Sequence, residues 1–344
     1  MESIIKAIKE QKQFYKNKDG SFKEDTEGNK ISKPPLKDST LKTYSANFKK
    51  ITGDNSLTDL SWLKDIDNIK EKLKDLSDNT KKNYYNVITV VLQATGKEPE
   101  ILPKYIALRD SLNKEYEKQN ETGIISDKQA PNFVTKAVFD NMVNTINQQV
   151  KLLNLKTKDK TNKEEKNLFQ LLIILKFYQI YPLRNELATI KKISEKDFKE
   201  LPENDKGNYL IIKDDGRQMK LSLADFKTAT SYGTNELPVG VVLKRLLNTW
   251  FAKFNPNNDN VFVQTNGEQL TKNNLTKMLT RASMKYMDGK KISTTMIRKI
   301  YTSDLFAEKN QKQKKVAKVM GHSVDTQNKI YVKKPQEDNV PNPV

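Results

Sequence analysis

The most apolar stretch of this chain limits what it can fold into. Residues 168–183 read LFQLLIILKFYQIYPL, in which Gln170, Lys176 and Gln179 interrupt the apolar run before Pro182. A stretch of this length and polarity is too short to span a bilayer, whereas it suits a helix in the core of a globular domain. We therefore predict a buried helix here and no function in a membrane.

Helical periodicity surrounds this segment, and one short β region follows it. Residues 209–212 and 219–226 have the alternating pattern of strands, and the helical pattern returns after Val241. The predicted fold class is mainly α with a small antiparallel β-sheet. Near the C-terminus the pattern indicates two helices, 294–306 and 312–320, which polar residues separate.

A chain of 344 residues is long enough for two domains. The best boundary is the segment 121–133, ETGIISDKQAPNF, which mixes Gly, Pro and polar residues. We predict a partly flexible N-terminal arm at 1–38, a helical domain at 39–120 and a linker at 121–133. A second domain with the sheet follows at 134–334, and a short tail at 335–344.

The charged residues favour an anionic partner. The formal net charge is +18, and residues 272–334 hold 16 Lys and Arg against four Asp and Glu. Such clustering favours nucleic acid, although solvated helix faces are the more ordinary reason for lysine-rich segments. With no Cys and one His, the chain excludes disulfides, zinc fingers and a thiolate nucleophile. We expect no metal, no cofactor and an intracellular protein.

Three residues near the C-terminus have an informative order and spacing. Arg298 lies in a predicted helix, His322 follows Gly321 at the end of another, and Tyr331 comes nine residues after His322. Singly, an arginine is more often in a salt bridge, such a histidine is more often a helix cap, and a tyrosine is more often packed in a core. Only the combination suggests chemistry.

The combination resembles the tyrosine recombinase (phage-integrase-type) family. Its helix-ending Gly-His-Ser with a Tyr nine residues after the His is matched by His322 and Tyr331. The segment YPLRNELATI supplies Arg184 as the first family arginine, and Arg298 matches the second. The segment ADFKTATSYGTNELPV supplies Lys227 as the family's hairpin lysine, in a layout similar to versions in viruses and large mobile elements.

The match has departures. The second family arginine usually follows a His by three positions, where this chain has Thr295. The acidic residue after the first arginine, Glu186, comes two positions later rather than three. Lys213 and Lys220 lie in the same β region and compete with Lys227 for the role of general acid.

The resemblance implies a helical N-terminal core-binding domain and an α+β catalytic domain that together clamp duplex DNA. It implies an enzyme that cuts and rejoins strands through a 3′-phosphotyrosine on Tyr331, without metal or ATP, as a homo-tetramer on paired DNA sites. Two alternatives stay open: a type IB topoisomerase with the same chemistry, and a DNA-binding protein of this fold that has lost catalysis. Candidate phosphate contacts in the first domain are Lys42, Lys49, Lys81 and Lys82.

Overall fold

The computed structural model describes residues 1–11, 23–33, 35–202, 205, 207–213, 216 and 218–332. The predicted tail 335–344 and part of the predicted N-terminal arm, 12–22, lie outside the described residues. The chain forms two compact units, Met1–Ile125 and Ser126–Val344. Within the described residues, no helix combines the length and apolarity that a membrane crossing needs.

The first unit is built from helices around a buried central one. Its helices are α1 (Glu2–Glu10), α2 (Asp38–Thr52), α3 (Ile66–Leu73), α4 (Asp78–Thr95) and α5 (Leu102–Glu121), with a 3-10 turn at Ser61–Lys64. Helix α4 packs against α1, α2 and α5, because its residues from Tyr84 to Leu92 are apolar on nearly every side. The buried Tyr105 hydroxyl donates to the Leu63 carbonyl at 2.8 Å and ties α5 to the 3-10 turn.

The second unit is helical around one sheet. Its helices are α6 (Lys136–Leu152), α7 (Lys163–Ile180), α8 (Glu195–Glu200), α9 (Ala229–Tyr232), α10 (Val241–Thr249), α11 (Lys272–Tyr286), α12 (Thr294–Val319) and α13 (Val324–Thr326). Helix α7 is the predicted buried helix, and this prediction is confirmed. A reciprocal capping box between Asn162 and Glu165 begins it, where the polar loop before it ends.

The sheet has four strands: β1 (Lys191–Ser194), β2 (Asn208–Ile212), β3 (Met219–Leu223) and β4 (Asn235–Pro238). They lie in the order β1-β2-β3-β4, and β1 is parallel to β2 while the other pairs are antiparallel. The predicted fold class, mainly α with a small sheet, is confirmed, but the sheet is mixed rather than antiparallel. Helix α8 lies in the connection between β1 and β2, and a helical crossover of this kind joins parallel strands.

Strand β3 is shorter than the predicted strand 219–226. The buried Asn208 side chain accepts hydrogen bonds from the backbone N–H groups of Ala224 and Asp225, at 3.1 and 2.9 Å. Its amide group also donates to the Asp225 carbonyl at 2.9 Å. Because these backbone groups bond to a side chain and not to a neighbouring strand, the ladder stops at Leu223.

Helix α12 replaces two predicted helices. The pattern separates 294–306 from 312–320, but the structure has one continuous helix, Thr294–Val319, of 26 residues. The intervening residues, AEKNQ at 307–311, contain no Gly or Pro, and Ala, Glu, Lys and Gln all have high helix propensity. A polar interruption in the apolar pattern is therefore compatible with an uninterrupted helix.

The buried Gln170 side chain holds α7 to the segment that follows α10. Its amide donates to the Val263 carbonyl at 3.0 Å, and its carbonyl accepts from the Val263 N–H at 2.9 Å. Gln170→Leu leaves both backbone groups buried without a partner, so we expect the free energy of unfolding to fall by about 2–4 kcal/mol. Urea denaturation measures this, with Gln148→Leu on the exposed face of α6 as control; equal midpoints for the two variants would contradict the expectation.

Candidate functional site

The chain turns sharply at Arg184, between α7 and the sheet. After α7 ends at Ile180, Arg184 precedes a 3-10 turn, Asn185–Thr189. The Tyr178 hydroxyl donates to the Arg184 carbonyl at 2.7 Å. Burial raises the pKa of Tyr178 far above its ordinary value, so the hydroxyl keeps its proton and remains a donor. The backbone of Arg184 is thus fixed from inside the core, while its side chain is only half-buried.

A hydrogen bond joins this turn to the first turn of α12. The buried Thr294 hydroxyl donates to the side-chain carbonyl of Asn185 at 2.6 Å. Arg298 lies four residues after Thr294, on the same face of the helix. The bond therefore places the two predicted arginines on elements in direct contact. We call Arg184, Asn185, Thr294 and Arg298 the arginine cluster.

Neither arginine of the cluster has a carboxylate within salt-bridge distance among the described residues. Unpaired, half-buried guanidinium groups are suited to an anionic ligand, since each presents a planar fork of N–H donors. Thr295, at the position of the usual family histidine, is exposed on the first turn of α12. Its hydroxyl is a hydrogen-bond donor three residues before Arg298 on the same helix.

Lys227 lies in the connection between β3 and β4 and is exposed. Lys220 is already paired, because its ammonium contacts both carboxylate oxygens of Glu236 at 3.0 and 3.1 Å. The Tyr181 hydroxyl donates to the Pro238 carbonyl at 2.5 Å, which ties the chain before Arg184 to the far end of β4. Lys227 and Pro238 thus lie at opposite ends of the β3–β4 hairpin.

The other candidate, Lys213, directly follows β2. Because β3 pairs with the end of β2 and with Pro238 at the same end of the sheet, Lys213 also lies at that end. It is exposed. The two candidate lysines, Lys213 and Lys227, therefore lie at opposite ends of the β3–β4 hairpin.

The end of α12 sets the position of His322. Gly321 has φ +71°, and the N–H groups of Gly321 and His322 donate to the carbonyls of Lys318 and Ala317 at 3.2 and 3.1 Å. These are the two hydrogen bonds of a Schellman motif, which needs a left-handed residue where Gly321 lies. Ser323 then caps α13 by accepting from the Thr326 N–H at 3.1 Å. His322 is held between two helix ends.

His322 and Tyr331 are stacked against each other. Their ring centroids are 4.9 Å apart, and their planes differ by 13°. Tyr331 ends a π-helical turn, Gln327–Tyr331, and is 55% exposed. The nine-residue spacing in the sequence therefore becomes a direct contact. We call these two residues the His–Tyr pair.

The hydrogen-bond partner of the His322 ring determines which of its two nitrogens carries the hydrogen. Its Nδ1 lies 3.1 Å from the Ser323 carbonyl, which can only accept, so Nδ1 carries the hydrogen. The Nε2 atom is buried and has no hydrogen-bond partner among the described residues. In the neutral ring this atom has a free lone pair, and in the cationic ring it becomes a second donor.

The structure separates the His–Tyr pair from the arginine cluster. Arg298 is in the second turn of α12, whereas the backbone of His322 bonds to Ala317 near its last turn. At 1.5 Å per residue these positions are about 28 Å apart along the helix axis. Four of the five predicted residues therefore form two groups near opposite ends of one helix, and Lys227 lies in the connection between β3 and β4.

The sequence analysis missed Tyr178, Asn185 and Thr294, the residues that support the arginine cluster. Thr294 had a local signal, because Ser-Thr-Thr before an apolar periodic segment is typical of a helix start. Asn185 and Tyr178 had none, since their roles depend on contacts made only in the fold. No group of three or more His, Asp or Glu side chains able to hold a metal ion occurs in the part of the chain that is described.

One family model matches part of the chain. Residues 235–337 match the sequence model of the phage integrase family, and they include Arg298, His322 and Tyr331. No curated protein matches the chain.

Two solved recombinase structures are similar to the chain. One is XerH site-specific recombinase bound to its difH substrate before cleavage, with 14% identity, a TM-score of 0.47, and coverage of 84% of this chain and 76% of that one. The other is XerA recombinase, with 12% identity, a TM-score of 0.33, and coverage of 87% and 89%. The family match therefore covers residues 235–337 of this chain, and the family it indicates is the phage integrase family.

Proposed function

We propose that this protein is a site-specific DNA recombinase that cuts and rejoins strands through Tyr331. The observation that carries the proposal is the His–Tyr pair within the family match: the ring of His322 lies against Tyr331 with one nitrogen free. Two unpaired arginines supply the anion-binding groups that a phosphodiester requires. Duplex DNA is thus the proposed partner.

In the proposed reaction the phenolic oxygen of Tyr331 attacks the scissile phosphorus. Its bond to the 3′-phosphate forms while the bond to the 5′-oxygen breaks, which gives a 3′-phosphotyrosine and a free 5′-hydroxyl. Charge grows on the non-bridging oxygens in the transition state, where Arg184 and Arg298 bind them more strongly than in the ground state. The reverse attack by a 5′-hydroxyl rejoins the strand with no external energy source.

His322 has two possible roles, and its tautomer sets both. With Nδ1–H bonded to the Ser323 carbonyl, Nε2 is the ring nitrogen left to act as general base for the phenolic proton of Tyr331, once the rings leave their stacked arrangement so that its in-plane lone pair faces the hydroxyl. Once protonated, the same Nε2–H can donate to a phosphate oxygen. The leaving 5′-oxygen needs a proton from another group, for which we propose Lys227, with Lys213 as the alternative.

The first unit supplies the proposed second half of a DNA clamp. Of its four candidate lysines, Lys42 and Lys49 are exposed. Lys82 lies 4.5 Å from the centre of the Tyr116 ring and donates to Asn113 at 3.2 Å, while Lys81 is 3.6 Å from Asp78. The two exposed lysines are therefore the better candidates for phosphate contacts. By analogy with the family, the working assembly is a tetramer on paired sites.

The test of the proposal is covalent capture on a nicked duplex that carries the target site. A short strand downstream of the scissile phosphate diffuses away after cleavage, so the protein stays attached and resists SDS. Proteolysis and mass spectrometry should then find the nucleotide on the peptide that contains Tyr331. Relaxation of supercoiled plasmid without strand exchange would instead indicate that the protein is a topoisomerase. If the protein binds the duplex and forms no adduct, it is a DNA-binding protein that has lost catalysis.

Thr294 is proposed as a positioning residue for the arginines. Thr294→Val keeps the shape of the side chain and removes the hydrogen bond to Asn185, so we expect cleavage to slow about 10-fold while DNA affinity is unchanged. Thr294→Ser keeps the hydroxyl and should restore most of the rate. Single-turnover cleavage measures the rates; equal rates for the Val and Ser variants would contradict the positioning role.

A further inference from the structure

The proposed general acid, Lys227, lies on an exposed part of the sheet. It is at the end of the β3–β4 hairpin opposite Pro238, where the bond from Tyr181 ties the hairpin to the chain that leads to Arg184. A lysine ammonium on its flexible stem adopts many positions in solvent. Proton transfer requires it to come within about 3 Å of one leaving oxygen. Under the proposed function, a contact with the duplex must therefore hold this end of the hairpin in place.

The β3–β4 connection, residues 224–234, is ordered by hydrogen bonds. The buried Asn208 side chain fixes the backbone where the connection begins. The Tyr232 N–H then donates to the Thr228 carbonyl at 3.2 Å, which closes the helical turn of α9. Since Lys227 directly precedes Thr228, Lys227 and Tyr232 are separated by little more than one helical turn, about 5.4 Å of rise. A contact made by Tyr232 therefore also fixes the position of Lys227.

Tyr232 is the most exposed aromatic side chain in the part of the chain that is described. It is 80% exposed, and the next is Tyr331 at 55%. Its exposed neighbours Ser231, Gly233 and Thr234 are small and present little apolar surface on which the ring could pack. A base presents a flat face on which an aromatic ring stacks, and a side chain can wedge into a duplex by partly unstacking one step. An ordered turn that holds one ring in solvent suits such a contact.

We propose that Tyr232 is a positioning residue: its ring packs on a base next to the scissile phosphate and thereby holds Lys227 at the leaving 5′-oxygen. The inference rests on the proposed function, in which the Lys227 ammonium gives its proton to that oxygen as the bond to phosphorus breaks. The lysine becomes neutral and a 5′-hydroxyl forms. Successive nucleotides of a strand lie about 3.4 Å apart along the duplex, so side chains little more than one helical turn apart can contact neighbouring nucleotides.

Two substitutions at Tyr232 separate the role of the ring from that of the hydroxyl. Tyr232→Ala removes the stacking surface, so single-turnover cleavage at saturating protein should slow about 10- to 100-fold. Tyr232→Phe keeps the ring and should cleave at nearly the wild-type rate. Ser231→Ala, at the neighbouring exposed residue of the same turn, is the matched control and should cleave like wild type. Equal rates for Tyr232→Ala and wild type would overturn the proposal.

A duplex with sulfur in place of the leaving 5′-oxygen tests whether Tyr232 acts through Lys227. A thiolate leaves without a proton, because thiols ionise with a pKa of about 8.5. On this duplex Lys227→Ala and Tyr232→Ala should both cleave at the wild-type rate, whereas Arg184→Ala should stay slow. A merely structural defect is not repaired by the sulfur. A Tyr232→Ala variant that stays slow on this duplex would therefore show that the ring does not position Lys227.

Abasic nucleotides, placed in turn on either side of the scissile phosphate, test the base contact itself. At one of the two positions, removal of the base should slow wild type by the same factor as Tyr232→Ala slows cleavage of the intact duplex. The variant should lose nothing further on that duplex, because the contact is already gone. Losses that add independently at both positions would show that the ring does not stack on either base.

The outcomes separate this inference from the function beneath it. If wild type forms no adduct on the oxygen or the sulfur duplex, the proposed function is wrong. If wild type forms the adduct and Lys227→Ala is slow on both duplexes, Lys227 is not the general acid, and the role of Tyr232 in positioning it is wrong too. A slow Tyr232→Ala variant that the sulfur duplex restores supports the inference.

Discussion

Tyr331→Phe is expected to abolish the covalent protein–DNA adduct while leaving DNA binding intact. The substitution removes one oxygen atom, the one that attacks phosphorus, and nothing else in the stacked contact with His322 changes shape. Removing a catalytic nucleophile leaves only the background reaction, so the loss is at least about 10⁴-fold and falls below detection. Quantitative gel analysis of the nicked duplex after SDS treatment measures it.

The matched control is Tyr286→Phe, in the same unit. That substitution also removes a single hydroxyl, which donates to Gln149 at 2.6 Å, and it should leave adduct formation unchanged. An adduct of undiminished yield from Tyr331→Phe would show that another residue is the nucleophile. Loss of the adduct from Tyr286→Phe would show that hydroxyl loss acts through folding.

Arg184→Ala is expected to lower the cleavage rate by about 10²- to 10³-fold, or roughly 3–4 kcal/mol of transition-state stabilisation. The side chain is half-buried and unpaired among the described residues, whereas the backbone carbonyl is held by Tyr178. Truncation therefore removes the guanidinium without removing the bond that fixes the turn. Arg184→Lys keeps the charge but loses the two-pronged donor, so its rate should lie between Ala and wild type.

The controls for this prediction separate chemistry from electrostatic attraction. Arg245→Ala removes a charge from the exposed face of α10 and should leave the single-turnover cleavage rate unchanged. Raising the concentration of Arg184→Ala to saturate the duplex should not restore its rate, because the lost contact strengthens in the transition state. Recovery of the wild-type rate at saturation would mean that Arg184 acts only in binding.

Features encoded by local pattern could be predicted from the sequence. Helix α7 is apolar all round and bounded by an Asn-x-x-Glu cap, and its position follows from those residues alone. The His–Tyr pair follows from a nine-residue spacing, because a Schellman turn and a short helix bring the two rings together. Both depend on contacts within a few turns of chain.

Features that depend on distant contacts could not be predicted. The parallel pairing of β1 with β2 and the bond between Asn185 and Thr294 join residues whose contact no sequence pattern indicates. The predicted break in α12 was wrong for another reason: at 307–311 the apolar pattern indicates a break, whereas helix propensity favours a continuous helix. Because this segment is exposed, helix propensity determines its conformation.

The unbroken α12 has a consequence for the timing of the proposed reaction. The helix holds the His–Tyr pair about 28 Å along its axis from Arg298. Under the proposed function, these two groups must come together on the duplex before a strand is cut. Occupancy of the duplex, measured by gel shift, should therefore precede formation of the covalent adduct in time.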